Sequence, residues 1–226
     1  MLDLEDVREI AARIPRDPLD REHLTVAERL DGLAGAINGL APDVLAAATR
    51  QRSRSKLLSY PRNRFNPRDE RERARYAGYA LALRAAEAIT LRHYATGLRD
   101  GQGRQRALIV LGDLNDEPLA ATTKILLGPP GSEIDTRGFD LDDAGDALRL
   151  WNLAPRILPE DRRFSRVFNG RPELIDHILV SHALVHDVDS VTTGTADLSS
   201  VTVDPGERRD ATASDHAPVI ARFGIG

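Results

Sequence analysis

Three short stretches of the chain place Asp, Asn or His beside an apolar run. They are "IVLGDLNDEP" (109–118), "ELIDHILVS" (173–181) and "ASDHAPV" (213–219), and their polar residues include Asp113, Asn115, Asp116, Glu117, Asp176, His177, Asp215 and His216. Carboxylates and imidazoles are side chains that proteins use to transfer protons and to hold cations. Taken singly, each stretch is a weak indication, because Asp after a strand is more often a turn former or a helix cap than a catalytic group.

Apolar, β-branched runs predict that these stretches lie on or beside strands. "RALIVLG" (106–112) is a continuous apolar run, which predicts a strand that is covered on both faces. Further strands are predicted at 163–168, 174–181, 188–193 and 218–223. The second half of the chain is therefore expected to be rich in β-structure, and the three polar stretches are expected at strand ends.

Helical spacing predicts the elements that pack against these strands. A helix is predicted over 25–38, with Thr25 as its N-cap, followed by a short buried strand in "PDVLAAA". An Ala-rich helix is predicted over 67–101, from Asp69 as N-cap to Gly101. "EPLAATTKILLG" predicts another helix that begins at Pro118 and ends at Gly128, and 129–163 reads as a long loop with short elements.

Composition limits the class of protein. A chain of 226 residues with 41% hydrophobic residues predicts one domain, residues 1–226. No apolar run approaches the roughly 18 residues that a membrane span needs. The acidic start has no signal-peptide pattern and the chain has no Cys, so a cytoplasmic location is predicted and no membrane partner is expected.

The net charge of −4 argues against binding nucleic acid by overall charge alone. Arginine is concentrated in one segment, at positions 50, 52, 54, 62, 64, 68, 71, 73 and 75. Acidic residues alternate with these arginines from residue 69 onward, which favours a solvated helix face over a nucleic-acid-binding patch.

In their order along the chain, "LGDLNDEP", "IDHI" and "SDH" resemble the motifs of the endonuclease/exonuclease/phosphatase superfamily, the fold of deoxyribonuclease I. The resemblance runs from about residue 25 to the C-terminus. It implies an α+β fold, a two-sheet β-sandwich flanked by helices, and hydrolysis of phosphodiesters or phosphomonoesters with Mg²⁺ or Mn²⁺.

The resemblance also implies a role for each matching residue. Asp113 would orient and deprotonate the attacking water, and Asn115 would donate to a phosphate oxygen. Asp215, together with Asp113, would hold the metal. His216 would contact the scissile phosphate, and Asp176 would accept from the other ring nitrogen of His216 and so fix its tautomer.

Other polar residues in these stretches have structural interpretations. His177 should point to the sheet face opposite to Asp176, since neighbouring residues of a strand alternate. Asp116 and Glu117 are interpreted as first-turn carboxylates of the following helix. Trp151 is interpreted as a packing residue. Arg166 could reach a phosphate but is not assigned that role.

The N-terminal part departs from the family pattern. "LAPDVLAA" (40–47) matches, but Ala48 and Thr49 stand where the family has Gln and its metal-binding Glu, and Arg52 stands where it has His. The family's N-terminal strand with its Asn is absent from the opening residues, so 1–24 carries no assigned role. An internal deletion near 48–54 is therefore predicted, with a first sheet that is incomplete and edges that could mediate self-association.

Three hypotheses follow from this mixture. The first is a metal-dependent nuclease or phosphatase whose substrate class, nucleic acid included, is open. The second is a catalytically inactive relative that keeps a phosphate-binding pocket as an interaction module. The third is a remnant of an internally deleted gene.

Overall fold

The computed structural model describes residues 45–46, 70–131, 133–134, 136–193, 198–202 and 214–224. The helix predicted over 25–38 and the junction near 48–54 lie outside these residues. The helices are α1 (Glu70–Arg99), α2 (Ala121–Leu127) and α3 (His182–Val185). The strands are β1 (Leu45–Ala46), β2 (Ile109–Asp113), β3 (Trp151–Asn152), β4 (Arg166–Phe168), β5 (Arg171–Glu173), β6 (Asp176–Val180), β7 (Val188–Thr193) and β8 (Val219–Phe223).

The described strands form one four-stranded sheet and two two-stranded sheets. The large sheet has the order β1-β2-β6-β3, in which β1 runs parallel to β2 while β6 is antiparallel to both β2 and β3. β4 pairs with β5, and β7 pairs with β8, both antiparallel. This mixture of helices and antiparallel pairs is the predicted α+β class, and the strands predicted at 163–168, 174–181, 188–193 and 218–223 are all present.

The long helix α1 covers one face of the large sheet. Its many Ala, Leu, Arg and Glu residues favour helix, and it ends at Arg99, just before the predicted stop at Gly101. Asp100 and Gly101 have positive φ angles of 48° and 70°, which turn the chain out of the helix. Arg99 then donates to the carbonyl oxygens of Leu148 and Arg149 at 2.7 and 2.6 Å, so the helix end is attached to the following loop.

Two apolar clusters lie on opposite faces of the sheet, and β6 contributes to both. Leu179 packs with Leu91 of α1, Val110 of β2 and Leu126 of α2. Its neighbours Ile178 and Val180 belong to a second cluster that also contains residues of β3, α3 and β7. Burying a side chain such as Leu179 stabilises a fold by about 1.5–3 kcal/mol. The alternation along β6 therefore separates a helix-covered face from the face that carries β7 and β8.

The prediction that "RALIVLG" is covered on both faces is only partly right. Val110 is completely buried against the helices, but Leu111, on the opposite face, is 37% exposed. On that face of β2, burial differs along the strand. Ile109 packs against the second cluster, whereas Leu111 is partly exposed to solvent. In the described part of the chain, no helix combines the length and apolar character that crossing a membrane requires.

The start of α2 was wrongly predicted. The helix begins at Ala121, three residues after Pro118, so Asp116 and Glu117 are not in its first turn. Asp116 instead lies outside the helix, and its carboxylate accepts a hydrogen bond from the hydroxyl of Thr122 in the helix at 2.6 Å. The predicted stop is confirmed, because Gly128 ends the helix with a φ of 91° and a Cβ there would lie 2.5 Å from the Arg92 guanidinium.

Candidate active site

Strand register brings the first two acidic residues together. β2 and β6 are paired so that Asp113 lies directly opposite Asp176, one position beyond the pair Gly112 and His177. Directly opposed residues of an antiparallel pair project from the same face, with Cβ atoms about 4.5–5.5 Å apart. Two carboxylates that are 63 residues apart in the chain therefore share one sheet face because of this register alone.

His216 reaches the same place from the segment before β8. Its Nδ1 lies 2.7 Å from Asp176 Oδ2. The neighbouring Ala217 N–H donates to the carbonyl oxygen of Ser165 at 2.7 Å. The Ser165 hydroxyl in turn accepts from the N–H groups of Ile175 and Asp176 at 3.1 and 3.2 Å. Ser165, which is fully buried, thus connects the segment that carries His216 to the first residue of β6.

The environment makes Asp113 a weaker acid than usual. Burial raises the pKa of its carboxyl group, and the nearby negative charge of Asp176 raises it further. The Asn115 N–H, which donates to Asp113 Oδ1 at 2.9 Å, and the positive charges of His216 and Arg166 partly oppose this rise. A carboxylate with a raised pKa accepts a proton more readily, as a general base must.

The environment of His216 favours its charged form. The hydrogen bond to Asp176 raises the pKa of the imidazole, although burial opposes this, and the charges of Asp176, Asp113 and Asp215 add to the rise. Because Nδ1 faces the Asp176 carboxylate, it carries a proton, and Nε2 is the nitrogen left for a substrate.

Asn115 lies beside the carboxylates and has a left-handed backbone conformation. It is only 4% exposed, has a left-handed φ of 52°, and its Nδ2 has no hydrogen-bond partner within the described part of the chain. Most buried polar atoms in proteins are hydrogen-bonded, and exceptions cluster at functional sites. The arrangement therefore offers a donor that is not used by the described residues.

The donor set fits a divalent cation. Ligand atoms of Asp113, Asp176 and His216 lie within 4.8 Å of one another. Mg²⁺ and Mn²⁺ bind through few protein oxygens and complete their coordination with water and phosphate. The rise in the pKa of Asp113 that the charge of Asp176 contributes also indicates excess negative charge, which a cation would neutralise. Asp215 lies outside this group of three, although its charge reaches His216.

A second group of three acidic and imidazole side chains has a different character. Asp142, Asp146 and His182 also have ligand atoms within 4.8 Å of one another. Arg104, however, lies 2.9 Å from both carboxylates, and Arg149 lies 2.7 Å from the buried Asp146. Since guanidinium groups already neutralise these carboxylates, this cluster is a structural ion-pair network.

Sequence reasoning missed two residues of the site. It identified the strand that contains Ser165 but not the contacts of its hydroxyl, because hydrogen-bond partners that are distant in sequence leave no local pattern. Arg166 was left without a role, yet it is 6% exposed, lies 3.3 Å from Glu173 Oε2, and its charge lowers the pKa of Asp113 against the effect of burial. The only sequence signal for Arg166 was its position in the chain shortly before the "IDH" strand.

The fold agrees with the structural interpretations of His177 and Trp151. His177 is 2% exposed and points away from the Asp113 face, as predicted, and Trp151 is a buried core residue. His93 is half-buried and in edge contact with Tyr94, and His186 is exposed and in contact with Phe139 and His182. His182 belongs to the ion-pair network instead, and His23 lies outside the described residues.

Comparison with known proteins adds one finding. A family model described as "Endonuclease/Exonuclease/phosphatase family" matches residues 49–216, a range that contains Asp113, Asn115, Asp176, Asp215 and His216. No curated protein and no solved structure gives a significant match to the chain.

Proposed function

The chain belongs to the endonuclease/exonuclease/phosphatase family, and we propose that it hydrolyses phosphoester bonds with the help of Mg²⁺ or Mn²⁺. The observation that carries this proposal is the meeting of Asp113, Asp176 and His216 within 4.8 Å at one end of β2 and β6. We also propose that the β-pairs assemble as the two-sheet sandwich of the family within a single domain, with an internal deletion near 48–54. We further propose a cytoplasmic location, which the cysteine-free composition favours. Self-association through sheet edges is also proposed.

Asp113 acts as the general base. Its pKa is raised by burial and by the charge of Asp176, so its carboxylate can take a proton from the attacking water. The Asn115 N–H holds Oδ1 of this carboxylate at 2.9 Å and so fixes its orientation.

His216 and Asn115 stabilise the charge that develops on the phosphate. His216 presents Nε2 to a phosphate oxygen or to the leaving group, while Asp176 holds the proton on Nδ1 at 2.7 Å and keeps the ring charged. Asn115 donates from its unused Nδ2 to a non-bridging oxygen. Such prearranged donors in a site that excludes water are a large part of enzymatic rate enhancement.

Asp113 and Asp215, with water, would hold the divalent cation. Bound there, the cation would supply a Lewis acid that draws charge from the phosphoryl oxygens. Ala48 and Thr49 occupy the positions where the family pattern has Gln and its metal-binding Glu. We therefore expect weak metal affinity and slow turnover.

The net charge keeps more than one substrate class open. With a net charge of −4, a small phosphodiester or phosphomonoester is as reasonable a substrate as a nucleic acid. A second candidate function, a phosphate-binding interaction module without turnover, is favoured by Ala48 and Thr49 at the metal-binding positions.

Hydrolysis of bis(p-nitrophenyl) phosphate and of supercoiled plasmid, with Mg²⁺, Mn²⁺ or EDTA, tests the proposal. We expect metal-dependent turnover by the wild type that falls about 10²–10⁴-fold in His216→Ala, the usual range for losing a general acid or base. His186→Ala is the matched control, because His186 is exposed and its ring contacts His182 of the ion-pair network. A cooperatively melting wild type without turnover would refute the hydrolase.

Thermal stabilisation by metal separates the two candidate functions. A native site that binds Mg²⁺ raises the melting temperature as the Mg²⁺ concentration rises. We expect this rise in the wild type and its loss in Asp113→Ala. Stabilisation by inorganic phosphate alone, without any effect of metal, would support the interaction module instead.

A further inference from the structure

A chain of hydrogen bonds joins β3 to the loop that carries Asn115, here called the acidic loop (residues 113–117). Ala154 N–H donates to Asn152 Oδ1 at 2.9 Å, and Asn152 Nδ2 lies 3.2 Å from His177 Nδ1. His177 Nε2 lies 2.8 Å from the carbonyl oxygen of Asp116. These contacts cross the sheet on the face opposite to the Asp113 and Asp176 side chains.

The direction of each bond in this chain follows from its neighbours. Asn152 Oδ1 accepts from the backbone, so the amide nitrogen of Asn152 must face His177 and donate to Nδ1. With Nδ1 accepting, the ring proton is on Nε2, and Nε2 donates to the Asp116 carbonyl oxygen. His177 is thus neutral and has one defined tautomer.

Asp116 is held at its side chain as well as at its backbone. The Thr122 hydroxyl donates to Asp116 Oδ2 at 2.6 Å. Arg84, which is 3% exposed, places Nε 3.3 Å from the same oxygen as an ion pair whose alignment falls short of a hydrogen bond. Contacts from α1, α2 and β6 therefore converge on one residue.

The neighbouring residue has an uncommon backbone conformation. Asn115 has a φ of 52°, in the left-handed region that Asn tolerates better than most residues but that still has a conformational cost. Its buried Nδ2 has no hydrogen-bond partner within the described part of the chain, so this donor contributes no hydrogen bond that would offset the cost. The Asn115 N–H is attached to Asp113 Oδ1. On the other side of Asn115, His177 holds the carbonyl oxygen of the next residue, Asp116, in the peptide that joins Asp116 to Glu117.

We propose that His177 is a positioning residue: by donating to the Asp116 carbonyl oxygen, it holds the acidic loop so that the Asn115 side chain points at the substrate phosphate. This inference rests on the function proposed above and extends it to a residue that never touches the substrate. His177 acts on the reaction only through Asn115.

A double-mutant cycle in hydrolysis of bis(p-nitrophenyl) phosphate tests that dependence. We expect His177→Leu to lower kcat about tenfold or more while KM changes less than about twofold, since the Asn115 donor acts mainly in the transition state. In an Asn115→Ala background, the same substitution should lower kcat by less than about twofold. Equal effects of His177→Leu in the two backgrounds would overturn the inference.

Rescue and stability measurements separate positioning from folding. His177→Gln keeps a side-chain N–H donor and should recover most of the kcat that His177→Leu loses. Melting curves should show equal destabilisation by His177→Leu with and without Asn115, because packing does not depend on the Asn115 amide. Failure of Gln to recover more kcat than Leu would overturn the proposed role of the Nε2 donor.

A readout without turnover distinguishes this inference from the proposed function. Ring ¹⁵N shifts of His177 should show the neutral Nε2–H tautomer, and an Nδ1–H tautomer would overturn the inference. Binding of inorganic phosphate by calorimetry should weaken in His177→Leu only when Asn115 is present. If phosphate binding shows this dependence on Asn115 but the wild type does not hydrolyse the substrate, the proposed hydrolase is refuted and the inference about His177 stands. If the wild type hydrolyses the substrate but His177→Leu and Asn115→Ala act independently, the inference is refuted and the hydrolase stands. A wild type that neither hydrolyses the substrate nor binds phosphate would refute both.

Discussion

Asp176→Asn should destabilise the protein in a pH-dependent manner. The substitution keeps the shape of the side chain but removes the charge that lies 2.7 Å from His216 Nδ1. The pKa of His216 is raised in the folded protein, first of all by its hydrogen bond to Asp176. The pair therefore contributes its full stabilisation below 6.5, the ordinary pKa of His, and loses it as the pH rises through the raised pKa.

The size of this effect follows from the burial of the pair. The two side chains are 21% and 22% exposed, so water screens their interaction only in part. A hydrogen bond between charged groups contributes about 1.5–3 kcal/mol in such a setting. For a chain of this length that corresponds to a fall in melting temperature of about 3–12 °C.

Thermal melting of wild type and Asp176→Asn at pH 6 and at pH 9.5 measures the effect. We expect the full difference at pH 6 and a smaller difference at pH 9.5, because a neutral imidazole keeps its N–H bond to the Asp176 carboxylate but no longer adds a positive charge to it. Asp161→Asn, at an exposed position, is the control and should change stability by less than about 0.5 kcal/mol at both pH values. An equal difference at the two pH values would refute the charged pair.

Four further outcomes are expected. The pH profile of kcat/KM should be bell-shaped, with activity lost as the pH falls through the raised pKa of Asp113 and as it rises through the raised pKa of His216; a profile flat from pH 4 to 9 would contradict both roles. Asn115→Ala should lower kcat about 10²–10³-fold in the same hydrolysis assay, the range for losing one transition-state donor, and an unchanged kcat would remove Asn115 from the mechanism. Ser165→Ala should lower the free energy of unfolding in urea by about 1–3 kcal/mol, because two buried N–H groups lose their acceptor, whereas a neutral result would mean that water replaces the hydroxyl. Arg149→Ala should lower the free energy of unfolding by about 1.5–3 kcal/mol, since the buried Asp146 would lose one of its two guanidinium partners and keep Arg104; a change below about 0.5 kcal/mol would contradict this.

The local elements were largely predictable because their signals are local. The Ala-rich composition indicated α1, and the apolar runs indicated β2, β6, β7 and β8. Asn169 and Gly170, with φ angles of 48° and 76°, turn the chain from β4 into β5. Asn-Gly is a strong hairpin signal, so β5 could have been predicted, although Pro172 within it argued against a strand.

The start of α2 could not be predicted in the same way. Pro118 fits the first turn of a helix, and its acidic neighbours fit a helix N-terminus. The chain instead stays outside a helix from the acidic loop as far as Ala120, because Asp116 is held by Thr122 and by residues distant in sequence. Long-range contacts thus overrode a local helix signal.

The sequence by itself determined which side chains are available: Asp113, Asn115, Asp176 and His216 stand in motifs that indicate phosphoester chemistry, and Ala48 and Thr49 stand where the resemblance predicts Gln and the metal-binding Glu. Only the tertiary structure decided how those side chains meet. The β2–β6 register opposes Asp113 and Asp176, and contacts across the sheet hold His216 and Asp116. Side-chain identity and local periodicity can be read directly from the sequence. Strand register, burial and the pKa shifts that follow from burial arise only when distant segments pack together.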